Sequence, residues 1–191
     1  MSCINRIITV PCPKWPSRSG IQKALIGCYG EKVKHPAFYD NPNGEIDRIW
    51  THNQDGSVAD ESEWSGVFHK LGIKPSTSNF TEQLVVQEDG TEYVDQTVTL
   101  KLHGFGGDFR NSFESFKHAD LFMALKMNNG FWQLFGTETP LRLSNIDTAS
   151  GTNTNEFWGN TLTFKGQPSR LSSVANYDFA KYLDEEWRAQ S

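Results

Sequence analysis

The stretch FTEQLVVQEDGTEYVDQTVTLKLHG, residues 80–104, decides the fold class. Two runs rich in β-branched residues flank Asp89-Gly90. That dipeptide favours the positive φ values of a type I′ turn, so the runs read as an antiparallel hairpin. In the second run Val94, Gln96, Val98, Leu100 and Leu102 alternate with Asp95, Thr97, Thr99, Lys101 and His103. A period of two places the first set on a buried face. The second set lies on a face that meets water or another subunit.

Working outward, LFMALKM (121–127) and FWQLFG (131–136) flank Asn129-Gly130 and form a second hairpin. EFWGNTLTFKG (156–166) reads as a strand with Trp158, Leu162 and Phe164 on one side and Thr161 and Thr163 on the other. VFHKLGI (67–73) and EIDRIW (45–50) are shorter strand candidates, and the polar NIDTASGTNTN (145–155) is expected to be a loop. GIQKALIGCYG (20–30) is ambiguous: Ile21, Ala24, Leu25 and Cys28 have helical spacing, yet the apolar run also has the length of a buried strand. In GGDFRNSFESFKHAD (106–120), Asp108 can cap a helix whose Phe109, Phe113 and Phe116 form one aromatic stripe suited to docking on a sheet. Near the end, Phe179, Tyr182, Leu183 and Trp187 share a face of a second helix.

These elements predict a mainly β protein, an antiparallel sandwich or partial barrel with one flanking α-helix. Pro11, Pro13 and Pro16 make residues 1–20 an extended arm. Residues 21–170 form the β domain and 171–191 a C-terminal segment with its helix. Within the domain, 40–65 is a long, polar, turn-rich loop, and loops of that length are usually functional or mobile.

Composition narrows the function. With 191 residues, 18 basic and 23 acidic, the chain has the size of one domain and a net charge of −5. It has no basic block of the kind tight duplex binding needs. No apolar run approaches the roughly 20 residues of a membrane span, and IITV at 7–10 is too short for a signal-peptide core of about 7–15 residues. Cys3, Cys12 and Cys28 give an odd number without ligand spacing, so reduced thiols are expected. His35, His52, His69, His103 and His118 form no close ligand pair. GFGGDF (104–109) lacks both the P-loop lysine and the dinucleotide fingerprint, and reads as a tight turn into a capped helix. No nucleophile elbow is present. Nothing in these residues resembles a prepared active site, so an enzyme is not expected, nor a cofactor or a metal. Aromatics make up 13% of the chain and sit mostly at apolar positions, which suits cores and subunit interfaces better than ligand stacking.

Residues 76–170 resemble major tail proteins, the tail tube proteins of long-tailed bacteriophages. STSNFTEQLVVQEDGTEYVDQTVTLKL resembles the family's Thr-rich hairpin, followed by a helical connection. ALKMNNGFWQLFGTETPLRLS is similar to its Asn-Gly hairpin leading into an aromatic-rich strand and a glycine. DTASGTNTNEFWGNTLTFKGQPS is similar to its Gly/Ser/Thr loop before a TLTF-x-G strand, and NPNGEIDRIW to its early turn and strand. The proline-rich start and the C-terminal helix depart from the pattern.

The resemblance implies a β-sandwich or partial barrel with a flanking helix, and a strand at GIQKALIG. It implies six copies in a ring, rings stacked into a hollow virion tail, and double-stranded DNA passing through without specific binding. Further partners would be tail tip, tape measure and terminator proteins, with no membrane; the subunit would be made in the host cytoplasm. Four strands from each of six subunits would give a barrel of about 24 strands, roughly 48 Å across the backbone and roughly 38 Å inside the side chains, ample for a duplex. Candidate lumen or intersubunit positions are Glu82, Glu88, Asp95, Thr97, Thr99, Thr161 and Thr163. Asp55, Asp60, Glu61, Glu63 and Trp64 in the long loop are candidates for contact between rings. Other readings of the residues are a carbohydrate- or host-binding β-sandwich of a tail tip or fibre, and the tube of a contractile injection device. On the tube reading, deletion of residues 53–63 should abolish polymers in negative-stain micrographs while circular dichroism shows a folded subunit.

Overall fold

The computed structural model describes residues 20–29, 45–46, 68–75, 77–103, 117–150 and 157–175. The described residues form ten strands and no helix: β1 (Ile21–Cys28), β2 (Glu45–Ile46), β3 (His69–Leu71), β4 (Asn79–Val86), β5 (Glu92–His103), β6 (Leu121–Met127), β7 (Trp132–Phe135), β8 (Arg142–Ala149), β9 (Gly159–Gly166) and β10 (Ser173–Ala175). One sheet has the order β2-β10-β7-β6-β1-β3 and the other β4-β5-β9-β8. Neighbours pair antiparallel, apart from the short parallel β10–β2 contact at one edge. The expected flanking helix over 106–120, its Phe109, Phe113 and Phe116, the N-terminal arm and the C-terminal helix lie outside the described residues.

Strand β5 follows its alternation residue by residue: Val94, Gln96, Val98, Leu100 and Leu102 are buried, and Asp95, Thr97, Thr99 and Lys101 are half-exposed. Its inner face meets Leu162 and Phe164 of β9 and, from the other sheet, Ile21, Ala24, Ile26, Leu121, Met123, Leu125 and Phe135 in one apolar cluster. Phe80 of β4 lies 4.9 Å from Phe135 of β7, ring centre to ring centre, across the gap between the sheets. The reverse face of the six-stranded sheet is dry as well. Leu25, Phe68, Phe122, Ala124 and Leu134 are buried there, and the Phe68 and Phe122 rings are 4.6 Å apart. That double burial explains why β1 and β6 read as continuous apolar runs rather than alternating ones. It also resolves GIQKALIGCYG as a strand. A bulge between Ile21 and Lys23 shifts its alternation, which made it look helical.

Three expectations are corrected. Both hairpins turn through three residues, not two. Gly90 N–H bonds the Gln87 carbonyl and Gln87 N–H bonds the Thr91 carbonyl; Met127, Gly130 and Phe131 repeat the pattern. Only the last loop residue then needs a left-handed backbone, which Gly90 supplies at φ 84°. Asp89 and Asn129 each accept the N–H two residues on, as short polar side chains do in turns. Second, residues 145–149 of the expected loop 145–155 belong to strand β8 (Arg142–Ala149). A bulge between Leu143 and Asn145 puts the inward Leu143 and Ile146 three apart, which hides the period of two. Third, Trp158 precedes β9 and stands half-exposed, while Asn160 takes the inward place beside Leu162 and Phe164. Replacing fully buried Phe164 by alanine should cost about 3–5 kcal/mol of stability in urea unfolding, the range for aromatic truncation in a packed core.

Candidate functional site

The four-stranded sheet buries one face and leaves the other polar. Cross-strand register puts Thr81, Thr97, Lys165 and Arg142 in one row across it, and Asn79, Thr99, Thr163 and Asn145 in the next. Lys101, Thr161 and Asp147 form a third row, while Gln83 and Asp95 pair beyond the first. Five sequence candidates, Asp95, Thr97, Thr99, Thr161 and Thr163, therefore share one surface. Glu82 does not: it pairs with Gln96 and faces between the sheets. Glu88 sits in the exposed hairpin loop. Asp55, Asp60, Glu61, Glu63 and Trp64 lie outside the described residues.

The polar face balances its charge instead of concentrating acid. Lys101, Arg142 and Lys165 stand against Asp95 and Asp147, with hydroxyls and amides between them. Arg142 and Lys165 are direct cross-strand neighbours, a like-charge pair that opposes sheet pairing. Arg142 Nε donates to Asp120 Oδ1 at 2.7 Å, and this bond holds the guanidinium pKa above its ordinary value. An open groove of about 500 Å³ runs beside these residues, lined by Asp95, Thr139, Pro140, Arg142, Lys165 and Gln167. Sequence reading placed Lys101 on this face but missed Arg142 and Asp147, because β8 was not recognised as a strand.

Both edges of the sheet, β4 and β8, lack a strand partner among the described residues. Four strands alternating in direction leave the two edges running opposite ways. The Gln87–Thr91 bonded pair sets the ladder phase, so Val85, Gln83, Thr81 and Asn79 direct their N–H groups to β5. Phe80, Glu82, Leu84 and Val86 then direct theirs outward. The phase is supported on the far side of β5, where Val94 N–H turns away from β4 and bonds the Pro168 carbonyl. Strand β4 contains no proline, lysine or arginine, the residues that commonly protect an edge.

A polar network ties the sheets together at this edge. Glu82 Oε1 accepts Gln96 Nε2 at 2.8 Å and the Ser172 N–H at 2.6 Å. Ser172 Oγ donates to Glu82 Oε2 at 2.7 Å and accepts Gln133 Nε2 of the other sheet at 2.8 Å. Gln96 Oε1 is buried without a hydrogen-bond partner. The segment between β9 and β10 is pinned again where Ser169 donates to Glu138, whose carboxyl pKa is lowered chiefly by the Ser169 hydroxyl bond. These groups brace a crossing between sheets; none is arranged as a nucleophile with a base. Among the described residues no group of three or more His, Cys, Asp or Glu could hold a metal ion, and no helix is long and apolar enough to cross a membrane. Cys28 is an exposed free thiol.

No family model, curated protein or solved structure matches the chain.

Glu82→Ala would leave the Ser172 N–H and Gln96 Nε2 without their acceptor. It should destabilise the subunit by about 2–4 kcal/mol in denaturant titration, more than loss of an exposed carboxylate would. An unchanged midpoint would remove the network from the account of sheet-to-sheet bracing.

Proposed function

We propose that this chain is a structural subunit of a hollow tube, the tail tube of a long-tailed bacteriophage. It closes into hexameric rings that stack to form the conduit for DNA ejection. The observation that carries the reading is the four-stranded sheet, with one dry face, one polar face and two edges of opposite direction that are unpaired among the described residues. Edge β8 of one copy beside edge β4 of the next continues the antiparallel alternation. A ring of such sheets leaves no edge open. Four strands per copy also match the count that gives a bore of roughly 38 Å for six copies.

On this reading the polar face lines the bore with Asp95, Thr97, Thr99, Thr161 and Thr163. Low adhesion to DNA then comes from hydroxyls, amides and balanced charge, since five described charges there nearly cancel. Surplus acid need not repel the phosphates. The dry reverse face of the six-stranded sheet supports a third layer in the sandwich, for which the stripe Phe109, Phe113 and Phe116 is the assigned cover. The subunit works in the virion, is made in the host cytoplasm, and meets tail tip, tape measure and terminator proteins at the tube ends. A sugar-binding face is less well supported: the aromatic side chains at this face, Tyr93 beyond the rows and Phe157 under Lys101 Nζ, belong to opposite ends of β5 and do not form one stacking platform.

Leu84→Pro tests ring closure. The Leu84 N–H points away from β5, so proline removes an edge donor without breaking the β4–β5 ladder. Wild-type protein, concentrated and viewed by negative stain, should form rings or tubes. Leu84→Pro should remain a folded monomer by light scattering. Rings from the variant at wild-type yield would exclude β4 as the seam.

A further inference from the structure

The two ends of the four-stranded sheet differ in shape and both expose apolar side chains. Strand β9 stops at Gly166, paired with Gln96, whereas the β4–β5 hairpin continues to Val86 and Glu92. Leu84 and Val86 share the face that packs the core at Phe80 and Val98, yet they are 59% and 58% exposed. Leu171, 65% exposed, adjoins Ser172, which is bonded to Glu82 two residues before Leu84. At the opposite end Trp158, 49% exposed, adjoins Gly159, the partner of His103 and Ala149. Nine residue steps along β5 separate the two levels, about 30 Å at the strand rise.

We propose that the apolar overhang of Leu84, Val86 and Leu171 docks on the Trp158 end of a second copy of this chain, in the next ring. The inference rests on the tube reading and assigns a ring-to-ring contact additional to that expected of the 40–65 loop, which lies outside the described residues. Two unlike ends on one subunit make a head-to-tail contact that does not close on itself, which is the geometry of an open stack. Area also selects this occupant. The three overhang residues expose on the order of 300 Å², a patch size that is often functional. A stable pair of proteins needs about 800 Å² from each partner. A contact this small holds when several copies repeat it together, as six would between two rings.

The test uses the full chain with Val86→Asp and, separately, Trp158→Asp, each checked for folding by circular dichroism and thermal melting. Either charge at the contact should lower pelletable tube by about tenfold or more while rings persist in sedimentation velocity. Each variant keeps one intact end, so variant rings added to growing wild-type tubes should cap and shorten them. If either aspartate disturbs folding, Val86→Thr and Trp158→Ser remove apolar area without a charge and should reduce tube in the same order. Normal tubes from the folded variants would overturn this contact and leave the tube reading in place. A wild-type protein that stays monomeric at high concentration would overturn both.

Discussion

Strand β5 can show only two faces, and both are committed. It pairs with β4 along eight residues and with β9 along eight, so its phase sets the phase of the whole sheet. A slip of one residue would bury Asp95, Thr97, Thr99 and Lys101 and expose Val94, Val98, Leu100 and Leu102. The apolar cluster between the sheets resists that slip because Val98, Leu100 and Leu102 of β5 pack in it with Leu162 and Phe164 of β9, whose register is tied to β5. The same phase decides which backbone donors β4 turns outward and which side chains share the polar face.

The two sheets are used differently. The six-stranded sheet buries apolar side chains on both faces where β1, β6 and β7 pair. The four-stranded sheet has one dry face, one wet face and two edges, which is a liability for a lone molecule. Its inner side includes a buried amide and a carboxylate held by Ser172 and Gln133, so the crossing from β9 to β10 is fastened by hydrogen bonds at the edge that β4 presents. Directional bonds fix that crossing in one arrangement, which packing alone does not ensure. A rigid edge loses less freedom when a neighbouring strand joins it.

Charge on the polar face shows the limit of reasoning from totals. The chain carries −5, but the rows of that face carry three cations against two anions. Net charge is a property of the whole surface; adhesion depends on the local face. Glu82 makes the same point in the other direction. Its acid, expected at the lumen or an intersubunit seam, is spent on three hydrogen-bond donors inside.

Alternation and turn residues alone determined the mainly β class, the hairpins around Asp89-Gly90 and Asn129-Gly130, and the two faces of β5. Those signals are local, since a side chain two residues away must share a face. Tertiary structure decided what depends on partners. GIQKALIGCYG became a strand because it lies between β3 and β6 in a layer dry on both sides, where a strand need not alternate. RLSNIDTA became a strand because β9 pairs with it across a bulge that scrambles its period. Trp158 stayed outside the core because the inward series of β9 ends at Asn160. Pairing and burial couple residues far apart in the chain, and no reading of neighbours along the sequence contains that coupling.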